Sequence, residues 1–246
     1  MADVRAVVLA AGRGVRMGGK QPKALIPMGD KQPLLHYILQ GVEIAGIKDL
    51  LIVTGFGHDQ IQSYVADTAG KTTAVLVRNA RYASWGNFHS LRVALDQSPG
   101  ADVLVINCDV VVPPDIYDRV VKQDGDLVLA VERRSGLDHE DMRVELDGDR
   151  VRAIGKEIKM VRSHGEFCGV SLVRPRAAAA FGDVCNQLEW SAGTSLYYED
   201  VYARLLGALD ARSAPVEAGE YAEVDEPGDV AQALEVISSH ESKWDK

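Results

Sequence analysis

Near the start of the chain, the stretch LAAGRGVRMGGKQPK (residues 9–23) places Gly12, Gly14, Gly18 and Gly19 among the cations Arg13, Arg16, Lys20 and Lys23, with no acid. Glycines let backbone N–H groups approach an anion, and the cations neutralise it. This composition directly after an apolar run therefore reads as a phosphate cradle. Its positive charge runs against the background: the chain has 27 Lys+Arg against 36 Asp+Glu, a net charge of −9. Two well-known phosphate loops do not fit. Gln21 stands where GxxxxGK[ST] needs a hydroxyl, and Gly12, Gly14 and Gly18 give GxGxxxG, one residue longer than the dinucleotide pattern.

The second group with chemical potential is acidic. Asp109 follows the apolar run VLVIN, at an expected strand end where a carboxylate reaches a ligand. Asp225 lies in EVDEP, and Glu223 shares its face of a short strand two residues away. Widely separated acids of this kind suit an octahedral Mg²⁺ that keeps waters and bridges phosphates. Asp225 also suits the N-cap of a helix opened by Pro227, and the two roles use different oxygens. Cys108, Cys168 and Cys185 have no metal-like spacing and read as buried small hydrophobes, and the six histidines form no HxxxH pair, so zinc is not expected.

Elements that position these residues follow from the hydrophobic pattern. Apolar runs at 5–10, 50–55, 73–79, 102–107 and 126–131 read as strands, and helical spacing marks 33–47, 58–69, 88–97 and 115–123. This alternation predicts an α/β fold: a three-layer, mainly parallel, Rossmann-like sheet with ligands at the C-terminal strand ends. After residue 132 the rhythm changes. Period-two alternation around Asp147-Gly148-Asp149 predicts a β-hairpin, 165–173 another strand, and 175–187, 195–209 and 227–239 helices. The simplest organisation is a single domain, 1–246, with a nucleotide-binding half (1–131) and an acceptor-binding and metal half (132–246). With no leader pattern and no apolar run of about 18 residues, a cytoplasmic protein is expected. The acidic balance predicts neither nucleic-acid nor membrane partners.

The opening stretch, extended through PKALIPMG and PLLHYIL, resembles the signature of nucleotidyltransferases that activate sugar-1-phosphates. Within them it is most similar to the phosphocholine cytidylyltransferase family. NARYASWGNFHSL (79–91), NCDVVV (107–112), EDMRVELDGDRVRAIGKEI (140–158), GEFCGVSLV (165–173), YYEDVYARLL (197–206) and AEVDEPGDVAQA (222–233) resemble later motifs of that family, in order. The resemblance implies a nucleotidyltransferase/GT-A type sheet and a Mg²⁺-dependent transfer of a nucleotidyl group, with CTP favoured, to a small phosphate or phosphonate. The oligomer would be a monomer or homodimer.

It also implies roles. Arg16 would hold the outgoing pyrophosphate, Lys23 the α-phosphate and Lys156 the acceptor phosphate. The backbone of Leu9, Ala10, Ala11, Gly12 and Gly14 would receive the nucleotide with Asn87, Ser90 and Asp109; Asn87 and Ser90 suit a pyrimidine edge. Trp85, Phe88 and His89 read as packing. Asp109, Glu223 and Asp225 would hold the metal. Glu140, Asp141, Glu166, Tyr198, Glu199 and Asp200 would line the acceptor pocket. Asp141 stands where a choline-binding member carries an aromatic. Four acids there, Glu140, Asp141, Glu199 and Asp200, favour a primary ammonium or a polyol over a quaternary ammonium, which offers no N–H donor. Two other readings remain at this point: a nucleotide-sugar-dependent glycosyltransferase of GT-A fold, although Val110 and Val111 after Asp109 break the usual DxD, and a non-catalytic nucleotide-binding regulator.

Overall fold

The computed structural model describes residues 4–68, 72–189 and 195–244. The first apolar run forms β1 (Val4–Ala10). Val7 and Leu9 enter one core cluster, and Ala6, Val8 and Ala10 the opposite one. A strand buried on both faces needs a continuous apolar run, which is why no polar alternation marks it. β2 (Asp49–Thr54), β3 (Thr73–Arg78) and β4 (Asp102–Asn107) extend the pattern. β1 runs parallel to β2 and β4, and β2 to β3. The crossovers carry α1 (Leu34–Ile44), α2 (His58–Thr68) and α3 (Phe88–Asp96).

The two-residue strand β5 (Val110–Val111), α4 (Asp115–Lys122) and β6 (Leu127–Glu132) follow. The expected hairpin is β7 (Arg143–Asp147) and β8 (Arg150–Ile154), turned at Gly148 with φ 63°. β9 (Gly165–Val173) inserts between β4 and β6, antiparallel to both. Then come α5 (Pro175–Glu189), α6 (Tyr198–Leu205), β10 (Ala211–Val216), β11 (Ala222–Glu223), α7 (Val230–Ser239) and α8 (Glu241–Trp244). The large sheet has the order β3-β2-β1-β4-β9-β6-β10-β8-β7, and β7 also pairs with β9.

Helices cover both faces. Phe88 and Leu91 of α3, Phe181 of α5 and Tyr202 of α6 pack on one side. Ile38 of α1, Ile61 of α2 and Tyr117 of α4 pack on the other. A third cluster joins Val111, Ala222, Val224, Val236 and Trp244, and seats the small β11–β5 sheet against α1 and α7.

Three features depart from the sequence reading. β10 was not expected, because ARSAPV has no apolar run and holds Pro215. It nonetheless lies parallel to β6, with Pro215 exposed and Ala211, Ala214 and Val216 buried. α6 begins at Tyr198, later than 195, because the Asp200 carboxylate accepts the Tyr197 N–H at 2.7 Å and stops the helix there. A 3₁₀ turn at Pro227–Asp229 precedes α7.

Candidate active site

The glycine-rich loop leaves the end of β1 and curls into a 3₁₀ turn, Val15–Met17. The Gly14 carbonyl accepts from the N–H groups of both Met17 and Gly19. Gly14, Gly18 and Gly19 have φ of 62°, 96° and 59°, a region that side chains disfavour. Gly14 has a second reason to be glycine: a Cβ there would lie 3.0 Å from the Lys23 Cβ. The loop therefore lies directly on the Lys23 stem, and Lys23 is buried, 8% exposed.

Lys23 Nζ donates to Asp109 Oδ2 at 2.8 Å and also to Asp225 Oδ1. Arg16 donates to Asp225 Oδ2 at 2.5 Å. Residues far apart in sequence meet because β11 pairs antiparallel with β5, Glu223 opposite Val110, one residue after Asp109. The Val224 N–H then donates to the Asp109 carbonyl at 2.8 Å. Ligand oxygens of Asp109, Glu223 and Asp225 lie within 4.8 Å of one another.

This carboxylate group fits a divalent cation. Asp109 Oδ1 is buried without a hydrogen-bond partner. Burial, and next the charges of Asp109 and Asp225, push the Glu223 carboxyl up to about 8. Burial lowers the Lys23 pKa, but Asp109 and Asp225 outweigh it and the net shift is upward, so its ammonium stays charged. One ammonium and one half-exposed guanidinium face three clustered acids. Hard oxygen donors of this kind are the ligand set of Mg²⁺-like ions. Asp225 does not cap the last helix. Glu226 is the N-cap of the Pro227–Asp229 turn, in a capping box whose other half is Asp229: its Oδ2 accepts the N–H groups of Glu226 and Asp225.

A cleft of about 370 Å³ opens from this cluster. Of the expected residues, Gly14, Arg16, Lys23, Asn87, Asp109, Glu140, Asp141, Lys156, Glu199, Glu223 and Asp225 line it. Others lie elsewhere. Leu9, Ala10 and Ala11 are buried at the end of β1, and Gly12 is exposed beside them. The Ser90 hydroxyl is buried and accepts from Asn79 Nδ2 at 3.0 Å. Asn87 Oδ1 accepts the Tyr198 N–H. Tyr198 is fully buried and donates its hydroxyl proton to Asn107 Oδ1 at 2.9 Å; it forms no aromatic wall. Trp85 stacks on buried Phe88 with ring centroids 5.8 Å apart, as packing.

The end of the cleft near Glu140 and Glu199 departs from the sequence expectation. The four acids are not four free carboxylates. Asp141 Oδ2 accepts from Arg134 at 3.0 Å, and Glu166 from the same guanidinium at 2.6 Å. Glu140 pairs with Lys156 at 3.1 Å. Asp200 caps α6. Only Glu199 among the four has a buried oxygen, Oε2, without a partner. Burial pushes its carboxyl up to about 7; its own N–H and the Tyr198 hydroxyl pull it down, and the charges of Asp200 and Asp109 add to the rise. Arg134, Tyr221, Asn107 and Gly169 were missed. Gly169 is visible in the sequence as a glycine inside an apolar strand, the sign of close backbone approach. Its φ is 70°, and a Cβ there would lie 2.8 Å from Val110. Arg134 carries no such sign.

A family model described as "MobA-like NTP transferase domain" matches residues 6–214. The choline-phosphate cytidylyltransferase of Streptococcus pneumoniae is 34% identical over 109 residues, 43% of this chain and 44% of that protein. The bifunctional protein GlmU of Symbiobacterium thermophilum is 30% identical over 130 residues, 50% of this chain and 25% of that protein. The chain thus spans less than half the length of these relatives. Among solved structures, the inositol-1-phosphate CTP transferase from T. maritima superimposes with a TM-score of 0.81 at 19% identity, covering 96% of this chain and 97% of that one. The CTP:phosphocholine cytidylyltransferase of Streptococcus pneumoniae (LicC) gives 0.77 at 23% identity, with 96% and 99% covered. At these identities the structural matches establish the fold.

Proposed function

The chain belongs to the MobA-like NTP transferase family, and from that premise we propose that it is a Mg²⁺-dependent cytidylyltransferase. It would transfer CMP from CTP to a small phosphate or phosphonate: a phosphonoalkyl compound, a polyol or sugar phosphate, or phosphocholine. That it is a nucleotidyltransferase follows from the family. CTP is favoured because cytidylyltransferases recur among its relatives and structural neighbours.

The carrying observation is the buried Lys23 ammonium, held against Asp109 and Asp225 at the mouth of the glycine loop. In the reaction an acceptor oxygen attacks the α-phosphorus. A new P–O bond forms, the bond to the β-phosphate breaks, and pyrophosphate leaves with the electron pair. The attacking group is already ionised near pH 7. The barrier is therefore charge repulsion and alignment, not proton abstraction. In this reading Lys23 neutralises the α-phosphate, and Arg16 offers its planar fork to the pyrophosphate. Lys156 holds the acceptor phosphate at the far side of the cleft. Asp109, Glu223 and Asp225 would hold the metal, which supplies positive charge to the phosphates when bound. Asn87 meets the base edge. Residues 1–131 contribute most of the nucleotide side, and 132–246 the acceptor side with two of the three metal carboxylates.

The test is a matrix of four NTPs against a panel of phosphates and phosphonates, read by pyrophosphate release. Release with CTP and at least one acceptor supports the reading. Equal release with a purine NTP overturns the CTP assignment.

A further inference from the structure

The acceptor end of the cleft holds one unsettled group. Glu199 is 5% exposed, lines the cleft and has Oε2 buried with no hydrogen-bond partner. Its helix, α6, is fixed on both sides: Asn87 Oδ1 accepts the Tyr198 N–H, and the Tyr198 hydroxyl donates to Asn107 Oδ1. The carboxylate therefore cannot swing out to water without unseating the helix. A buried acceptor oxygen left without a donor is costly. The Tyr198 hydroxyl, the donor beside this carboxyl, donates to Asn107 Oδ1 and leaves Oε2 unmet, while Arg134 is paired with Glu166 and Asp141, and Lys156 with Glu140.

Charge in this part of the cleft points the same way. Arg134 is shared among Glu132, Asp141 and Glu166, and Lys156 pairs with Glu140, so among the described residues neither of these ion-pair sets includes Glu199. Lys156 is the expected partner of the acceptor phosphate, so binding that phosphate draws it away from Glu140. The acceptor phosphate then adds further negative charge. The missing complement is a positive group that carries its own N–H donors.

Resting on the cytidylyltransferase reading, we propose that the acceptor is an alkyl phosphate or phosphonate ending in a primary ammonium, received by the Glu199 carboxylate. A trimethylammonium brings the charge but no N–H to Oε2. A polyol brings a donor but leaves the charge excess. An ω-ammonium supplies both.

The experiment compares 2-aminoethyl phosphate, 2-aminoethylphosphonate, phosphocholine and inositol 1-phosphate as acceptors with CTP, in wild type and Glu199→Gln. In wild type, the two amines together are expected to contain the best acceptor, at least 10-fold above phosphocholine and inositol 1-phosphate in kcat/KM. Glu199→Gln should raise KM for the amine at least 10-fold, hold kcat within about 3-fold and leave KM for CTP unchanged. Phosphocholine or inositol 1-phosphate matching the amines in wild type would overturn the proposal, and this ranking does not depend on the variant folding. An equal kcat loss for every acceptor in Glu199→Gln would also overturn it, by showing a structural role. No pyrophosphate release with any acceptor and any NTP would remove the cytidylyltransferase reading itself, and this proposal with it.

Discussion

Two clusters in this protein share a plan: three carboxylates gathered around one cation. Around Arg134 stand Glu132, Asp141 and Glu166; around Lys23 stand Asp109, Asp225 and, adjoining them, Glu223. They differ in how far the cation satisfies the acids. The Arg134 guanidinium reaches all three of its acids within 3.3 Å, and none of their oxygens is among the buried atoms left without a partner. The Lys23 ammonium is a point charge. Asp109 Oδ1 stays buried and unpaired, and the Glu223 carboxyl is pushed up to about 8 by burial and by its two acidic neighbours. The first cluster is closed and ties the end of β6, the segment before β7 and β9 together. The second is open and has room for more positive charge. The same residue types are thus fully paired in one place and short of donors in the other, decided by the number and direction of the donors.

Mutating the two cations should have different consequences. Lys23→Ala should lower kcat by at least ~10²-fold, the scale for losing one preorganised charge donor. The fold should survive, because Asp109 and Asp225 are both partly open to water and Arg16 still pairs with Asp225. Wild-type turnover at saturating CTP would remove Lys23 from the reaction. Arg134→Met should act chiefly on stability, costing about 2 kcal/mol in urea unfolding. This is below the ~3–5 kcal/mol of a fully buried pair, because the guanidinium is a third exposed. A stability unchanged by Arg134→Met would make the two clusters equivalent and undo the contrast.

A smaller effect concerns β11, the strand that carries Glu223. Arg119 and Lys243 both pair with Glu220, three residues before Glu223. Burial alone would raise the Glu220 pKa. The bonds from Arg119, the Glu217 N–H and Lys243 outweigh it, and the carboxyl falls from 4.5 to about 2. A carboxyl depressed by folding stabilises the protein above its unfolded pKa and loses that contribution as pH falls through its folded one. Glu220→Gln should therefore cost about 1 kcal/mol at neutral pH, on the scale of a well-made charged pair. The gap to wild type should close between pH 4.5 and about 2. A gap that persists unchanged across that window would mean that shape, not charge, holds β11.

Much of the fold was legible because it depends on apolar continuity. The strands at 102–107 and 165–173 and the hairpin at Asp147–Asp149 lie where the pattern placed them. β10 was not, because its stability comes from pairing with β6 and from the Ser213 N–H and hydroxyl both donating to the Asp149 carbonyl, which no local pattern reports. Asp109, Glu223 and Asp225 were legible as acids at strand ends, and the structure gathers them. What could not be read was the partnership of each acid. Asp141, Asp200 and Glu199 look alike in sequence, yet one is held by Arg134, one caps a helix and one is left open. Those outcomes depend on cations and N–H groups from other segments.

We propose that Lys23 and the three carboxylates form a metal-dependent nucleotidyl-transfer centre. The most direct measurement is pyrophosphate release from CTP with an accepting phosphate, in chelator and then across a Mg²⁺ titration, for wild type beside Asp109→Asn. Wild type should show no release in chelator and recovery with Mg²⁺. Nearly none is expected at any Mg²⁺ concentration in the variant, whose melting should shift by no more than about 1 kcal/mol equivalent. Substantial release in chelator, or a fully active Asp109→Asn, would contradict it.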